Sequence, residues 1–224
     1  MKKVLLPLTA QLHQQFQGIR QQLNSGSREK LAKPLGAILA SLSCEILDRM
    51  FGDLVEKSKA QAKTRDELEM VRDSEKVVTQ VNETFKKYLP YAVSLFGNER
   101  LVPLVNYLDA QMIEKNGSFY LVFDVDEALL NRTIEAAERV KAGDKAKIPL
   151  AFDGLIKIVD LGVTALIREP KKILNFNFVV DKTLTGILNM TTSLGYKRLE
   201  KLSTQMEVES AAQYVDHFIG FVEM

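Results

Sequence analysis

Apolar residues recur at helical spacing along most of the chain, most densely between Leu35 and Val55. At ~100° per residue, Leu35, Leu39, Leu42, Ile46 and Met50 form one edge of a helix. Ala40, Cys44, Leu47, Phe51, Leu54 and Val55 widen that edge past half the circumference. The polar side chains Ser41, Glu45, Asp48, Arg49 and Glu56 are confined to the remaining strip. A helix with so wide an apolar arc is enclosed by other helices, so the pattern predicts a central core helix over residues 35–55. Gly36, Ala40 and Ser43 fall close together on it, and such small residues let a neighbouring backbone approach.

The same reading extends along the chain. Pro7 suits a helix N1 position, and Leu5, Leu8, Leu12, Phe16, Ile19 and Leu23 make a stripe at helical spacing, so a first helix is expected over residues 7–23. Thr64-Arg65-Asp66-Glu67 has capping-box spacing and predicts a fresh helix start. Val71, Ser74, Val78, Val81, Phe85 and Tyr88 then follow as a short heptad-like seam. An antiparallel hairpin within one subunit explains that seam better than a coiled coil between subunits. Pro90 predicts a kink or break, and Asn98 a helix running to Met112 closed by Asn116-Gly117. Residues 118–123 are aromatic and β-branched and predict a strand. Residues 173–180 alternate apolar and polar, which makes them its candidate partner. Asp124 is the expected cap of a helix reaching Val140. Ile148 to Ile167 form a second buried helix, stopped by Pro170. Asp181 is the expected start of a helix interrupted at Gly186 and Gly195, and a last helix begins near Ser203 or Thr204. The expected fold is all-α or nearly so: an irregular bundle of seven to nine helices around helix 35–55, with room for one short two-stranded β element (118–123 with 173–180). No linker interrupts it, so residues 1–224 read as one domain.

Composition changes this picture little. A hydrophobic content of 46% and a charged content of 26% are ordinary for a globular domain. The net charge of +1 gives no global reason to expect nucleic acid, and no basic recognition helix or basic patch with interleaved aromatics occurs. Charge is uneven, however. Residues 1–28 carry Lys2, Lys3, Arg20 and Arg28 without an acid, whereas residues 203–224 carry Glu207, Glu209, Asp216 and Glu223 without a Lys or Arg. That asymmetry suits chain ends that lie near one another or that face opposite ends of a partner subunit. A single cysteine, Cys44, on the apolar arc suits a buried thiol in a reducing compartment. The run Val4-Leu5-Leu6-Pro7-Leu8 is too short for a signal peptide, and no stretch of ~18 apolar residues is present. A cytoplasmic location and no transmembrane segment are expected.

Motifs for catalysis and metals are poorly supported. His13 and His217 are the only histidines, and neither stands in a metal-ligand motif. Asp124, Asp126 and Glu135 match three positions of a calcium loop, but Leu129 stands where the sharp turn needs glycine. Ser27-Arg28-Glu29-Lys30 lacks the companion motifs of a serine nucleophile. No cofactor is implied. Two polar strips on otherwise apolar helices remain as candidate ligand-binding groups: Glu45, Asp48 and Arg49 on the first, and Asp153, Lys157 and Asp160 on the second.

The last helix carries Tyr214, Phe218 and Phe221 beside its main apolar row, more than one narrow groove can cover, which makes them candidate interface residues. The leading expectation is therefore a non-catalytic interaction or structural protein that self-associates or binds a protein partner. The alternative is a binder of an apolar small molecule, lipid-like or isoprenoid-like, held between helices. An unfamiliar enzyme using the carboxylates is the third.

Overall fold

A computed structural model describes residues 1–62 and 64–223. The chain is mostly helical, with one three-stranded antiparallel sheet in the order β1 (Lys2–Leu8), β3 (Ser118–Val125), β2 (Met112–Lys115). The helices in chain order are α1 (Ala10–Asn24), α2 (Ala32–Leu47), α3 (Asp53–Gln61), α4 (Arg65–Ser94), α5 (Asn98–Ala110), α6 (Glu127–Lys141), α7 (Ile148–Val163), α8 (Glu169–Leu174), α9 (Phe178–Gln205) and α10 (Val208–Ile219). A π-helical turn, Asp48–Gly52, joins α2 to α3, and a second, Thr164–Arg168, joins α7 to α8. Counted as continuous rods, the described residues form eight helices, apart from one short 3-10 turn. No helix among them is long and apolar enough to cross a membrane.

The expected central helix is present as α2 and the following π turn. Leu35, Ala40, Leu42, Cys44 and Met50 are buried. Its closest neighbour is α4, which runs antiparallel to it: Gly36 lies against Pro90, and the Cys44 Sγ lies 3.8 Å from the Asn82 carbonyl. A Cβ at position 36 would sit 2.7 Å from the Pro90 Cα, so glycine here sets how closely the two backbones approach. The seam from Val71 to Tyr88 is thus an intrachain contact. Its start is capped as expected, with the Glu67 amide donating to the Thr64 hydroxyl at 3.2 Å and the Thr64 amide donating to the Glu67 carboxylate at 3.0 Å.

Burial raises the pKa of the Cys44 thiol, an effect that exceeds the opposing pull of Lys86. Cys44 is therefore expected to react slowly with a disulfide reagent in the folded protein and quickly in guanidinium. Rapid labelling under native conditions would contradict its burial.

Several boundaries differ from expectation. Residues 2–8 form a strand, not the start of a helix. Pro7 is tolerated because β1 lies at the sheet's edge, and the first helix begins only after Thr9, whose hydroxyl accepts from the Leu12 amide. The strand at 118–123 is real, but its partners are β1 and β2, not 173–180. Asn116-Gly117, expected to end a helix, is instead a two-residue hairpin turn with φ of 54° and 74°, the left-handed pair such hairpins favour. Residues 173–180 end α8, turn through Asn175 at φ 47° and begin α9. Pro90 and Pro170 both lie within continuing helix. At Pro170 the preceding π turn supplies the looser backbone that accommodates a proline. The helix caps are Asp126 and Asn177, in place of Asp124 and Asp181.

The chain ends do meet. The Leu5 amide donates to the Phe221 carbonyl at 2.7 Å, the Glu223 amide to the Lys3 carbonyl at 2.9 Å, and Lys115 pairs with Glu223 at 2.5 Å.

Candidate functional site

Between the sheet and the helices lies an apolar cavity of about 250 Å³. Its floor is one face of the sheet, where Leu6 and Met112 both stand opposite Leu121 and Phe123 lies beside them. Its walls are α2, α4, the end of α7 and α9. On α4 the lining runs from Thr84 to Val93, about 14 Å at 1.5 Å per residue. Both π turns border it, one through Met50 and Phe51 and the other through Leu166 and Ile167. Such turns displace the residues after them from the regular helical face and recur at functional sites. Gly162 also lines the cavity. A Cβ there would lie 3.0 Å from the Phe123 ring, so its absence lets that ring close the space between sheet and helix.

The arrangement explains why so much apolar surface in the chain is not fully packed. Leu47, Phe85, Val163, Ile187 and Leu188 are only half-buried, and all border the cavity. Among the described lining residues one is charged, Lys171, whose Nζ lies 2.5 Å from the Asp181 carboxylate. The Thr84 and Thr191 hydroxyls each donate to a carbonyl of their own helix at 2.8 Å, so the remaining lining hydroxyls are those of Ser43 and Tyr88.

None of the six polar residues singled out from the sequence lines this cavity. Glu45 accepts from the Thr9 amide at 2.7 Å and its hydroxyl at 3.0 Å, tying α2 to the start of α1. Asp48 accepts from the Asn82 side chain at 2.8 Å, and the Arg49 carbonyl lies 3.0 Å from the His217 Nε2. Asp153 and Lys157 form an exposed pair at 2.6 Å one helical turn apart, the kind that contributes little. Asp160 is brought into a cluster of its own. It accepts from the Tyr196 hydroxyl at 2.7 Å and pairs with Arg168 at 2.8 Å, while Arg168 also donates to the Thr164 hydroxyl at 2.7 Å. This cluster binds the second π turn to α9 behind the cavity wall. Tyr214, Phe218 and Phe221 lie within the chain's own packing. Tyr214 stacks on Phe152, Phe218 meets Phe51 edge-on, and Phe221 holds the first strand through its carbonyl.

The hydrogen bond from Arg168 holds the Asp160 carboxyl below its usual pKa, against the opposing effect of burial, and the Tyr196 hydroxyl adds to the lowering. A depressed folded-state pKa means that this stabilisation is present above the unfolded value of ~3.9 and is lost as pH falls through the lower, folded value. With Asp160 partly open to solvent, its contribution is about 0.2–1 kcal/mol. Asp160→Asn is expected to be less stable than the parent at neutral pH and to converge with it below about pH 4. Parallel acid melts would contradict the assignment.

Compared with known proteins, the chain matches no protein-family model, no curated protein and no solved structure.

Proposed function

We propose that this protein is a non-catalytic binder of an apolar small molecule of lipid-like or isoprenoid-like chemistry, held in the cavity between α2, α4, α7 and α9. The observation that carries this reading is the volume of about 250 Å³ within walls that are almost wholly hydrocarbon. A dry cavity of ~150 Å³ with similar walls already accepts benzene, so this one has room for a longer molecule. With few free polar groups, it selects by shape and hydrophobic surface and not by hydrogen bonding. The elongated lining of α4 favours a chain over a compact ring system.

Each added methylene buried in such a site contributes about 0.8 kcal/mol. A series of saturated fatty acids is therefore expected to tighten about fourfold per methylene until the cavity is filled, then to level off. Affinities independent of chain length would contradict binding inside the cavity. Native mass spectrometry of protein purified from cells tests the reading without a choice of ligand. An adduct of small-molecule mass, lost on denaturation, is expected. The bare protein mass, together with no saturable uptake of added decanoate, would overturn it.

A further inference from the structure

The helical walls of the cavity are not equally secured. On α2 the lining stretch includes buried Leu42 and adjoins buried Ala40 and Cys44. The lining of α4 runs between buried Val81 and buried Ala92 and Val93, with Gly36 of α2 seated against Pro90. That of α7 includes buried Gly162 and follows buried Ile158. The first half of α9 has no such hold. Between Leu174 and Thr191 no residue is buried, although Leu184, Ile187 and Leu188 line the cavity. Phe178 and Val179, in the first turn, are 77% and 71% exposed. Among the described residues, the side chains of 178–190 make one polar contact outside α9, the ion pair of Asp181 with Lys171. A pair partly open to solvent holds weakly.

Residues 178–190 are also poor helix formers. Val179, Val180, Thr183, Thr185 and Ile187 are β-branched, which costs side-chain freedom in a helix. Gly186 adds the low helix propensity of glycine. No atom lies within 4 Å of where a Cβ at Gly186 would stand, so packing does not call for glycine there. The hydroxyls of Thr183, Thr185 and, just beyond, Thr191 and Thr192 donate to carbonyls four residues back at 2.8–3.0 Å. Such bonds slightly destabilise a helix. Both flanks, by contrast, are fixed. Before the stretch, Leu174 is buried, the Arg100 guanidinium donates to its carbonyl at 2.5 Å, and the Phe176 ring lies 4.9 Å from that of Phe96. After it, the Tyr196 hydroxyl donates to Asp160 at 2.7 Å and the Arg198 Nε to the Ser74 hydroxyl at 2.9 Å, and Leu199 and Leu202 are buried.

We propose that residues 178–190 are a lid, which melts locally to let the apolar ligand in and out while both flanks stay in place; the gating role rests on the cavity reading above. Few buried contacts and weak helix propensity put this stretch at the low-stability end of the molecule. As helix it spans about 20 Å, but extended it can reach about 43 Å. Melting therefore supplies enough slack for the stretch to bow away from the cavity without moving either fixed end.

Amide hydrogen exchange of the ligand-free protein tests the lid. Amides of residues 182–190 are expected to exchange on the order of a hundredfold faster than those of 198–202 in the same helix and 84–89 in α4. Asp181→Asn, which removes the tie to Lys171, is expected to speed exchange at 182–190 by up to about fivefold. Gly186→Ala is expected to slow it about fivefold, the propensity difference between the two residues expressed as a ratio. Gly186 is exposed and does not border the cavity. The same variant is therefore expected to slow entry and release of decanoate by one common factor, at unchanged Kd. Equal protection of 182–190 and 198–202 would overturn the proposal. So would Gly186→Ala protein in which either the amide exchange or the decanoate rates are unaltered. Decanoate binding with equal protection removes the lid and leaves the cavity reading standing. Fast exchange at 182–190 in a protein that takes up no decanoate would remove the gating role and the cavity reading together.

Discussion

Replacing Leu188 with Trp, or Ser43 with Phe, is expected to abolish uptake of decanoate without unfolding the protein. Leu188 stands on α9 and Ser43 on α2, so the two substitutions enter the cavity from different walls. Both positions are half-buried and border space that is not taken up by other side chains. A larger side chain therefore meets no packed neighbour at once, and cavity filling of this kind commonly adds about 0.5–2 kcal/mol of stability. Loss of binding with equal or higher melting temperature separates a blocked site from a damaged fold. Undiminished uptake by both variants, measured by fluorescence displacement, would place the ligand elsewhere.

The second large effect concerns the central helix itself. Leu35→Ala is expected to cost about 2–5 kcal/mol, because Leu35 has no exposed surface and its truncation leaves a new void. Leu47→Ala on the same helix is expected to cost only about 1 kcal/mol. Leu47 is half-buried and borders the cavity, so its truncation forfeits part of a transfer term and creates no isolated hole. Denaturant melts of the two variants check the contrast. Equal losses would mean that the wall containing Leu47 is as tightly packed as the core around Leu35.

From periodicity alone these two leucines are equivalent, which shows where sequence reading stops. The apolar arc of residues 35–55 correctly marks a helix enclosed by others, and the small residue Gly36 correctly marks a close approach. Whether the enclosure is packed or hollow depends on how far apart the neighbouring helices stand, and no local pattern encodes that distance. The π turns at Asp48–Gly52 and Thr164–Arg168 shift the facing residues without any characteristic residue of their own. Gly186 hides the wall residues Leu184, Ile187 and Leu188 from sequence reading, because it looks like a break yet lies inside α9. The strand at 2–8 is not legible in the sequence because a short continuous apolar run reads equally as strand or helix. Asn116-Gly117 held the stronger signal, since that dipeptide is a hairpin turn before it is a helix stop. Charge on an apolar helix is conspicuous in a sequence, but Glu45, Asp48 and Asp160 tie elements together and Asp153 and Lys157 form a surface pair.

The most direct test is a methyl-resolved NMR titration with decanoate. The cavity reading predicts saturable shifts at Ile46, Leu47, Val163, Ile187 and Leu188, which border the cavity. It also predicts unmoved signals from Leu101, Val140 and Val215, buried away from it. Shifts confined to exposed Leu68 and Leu150, or no saturable shifts at all, would contradict it.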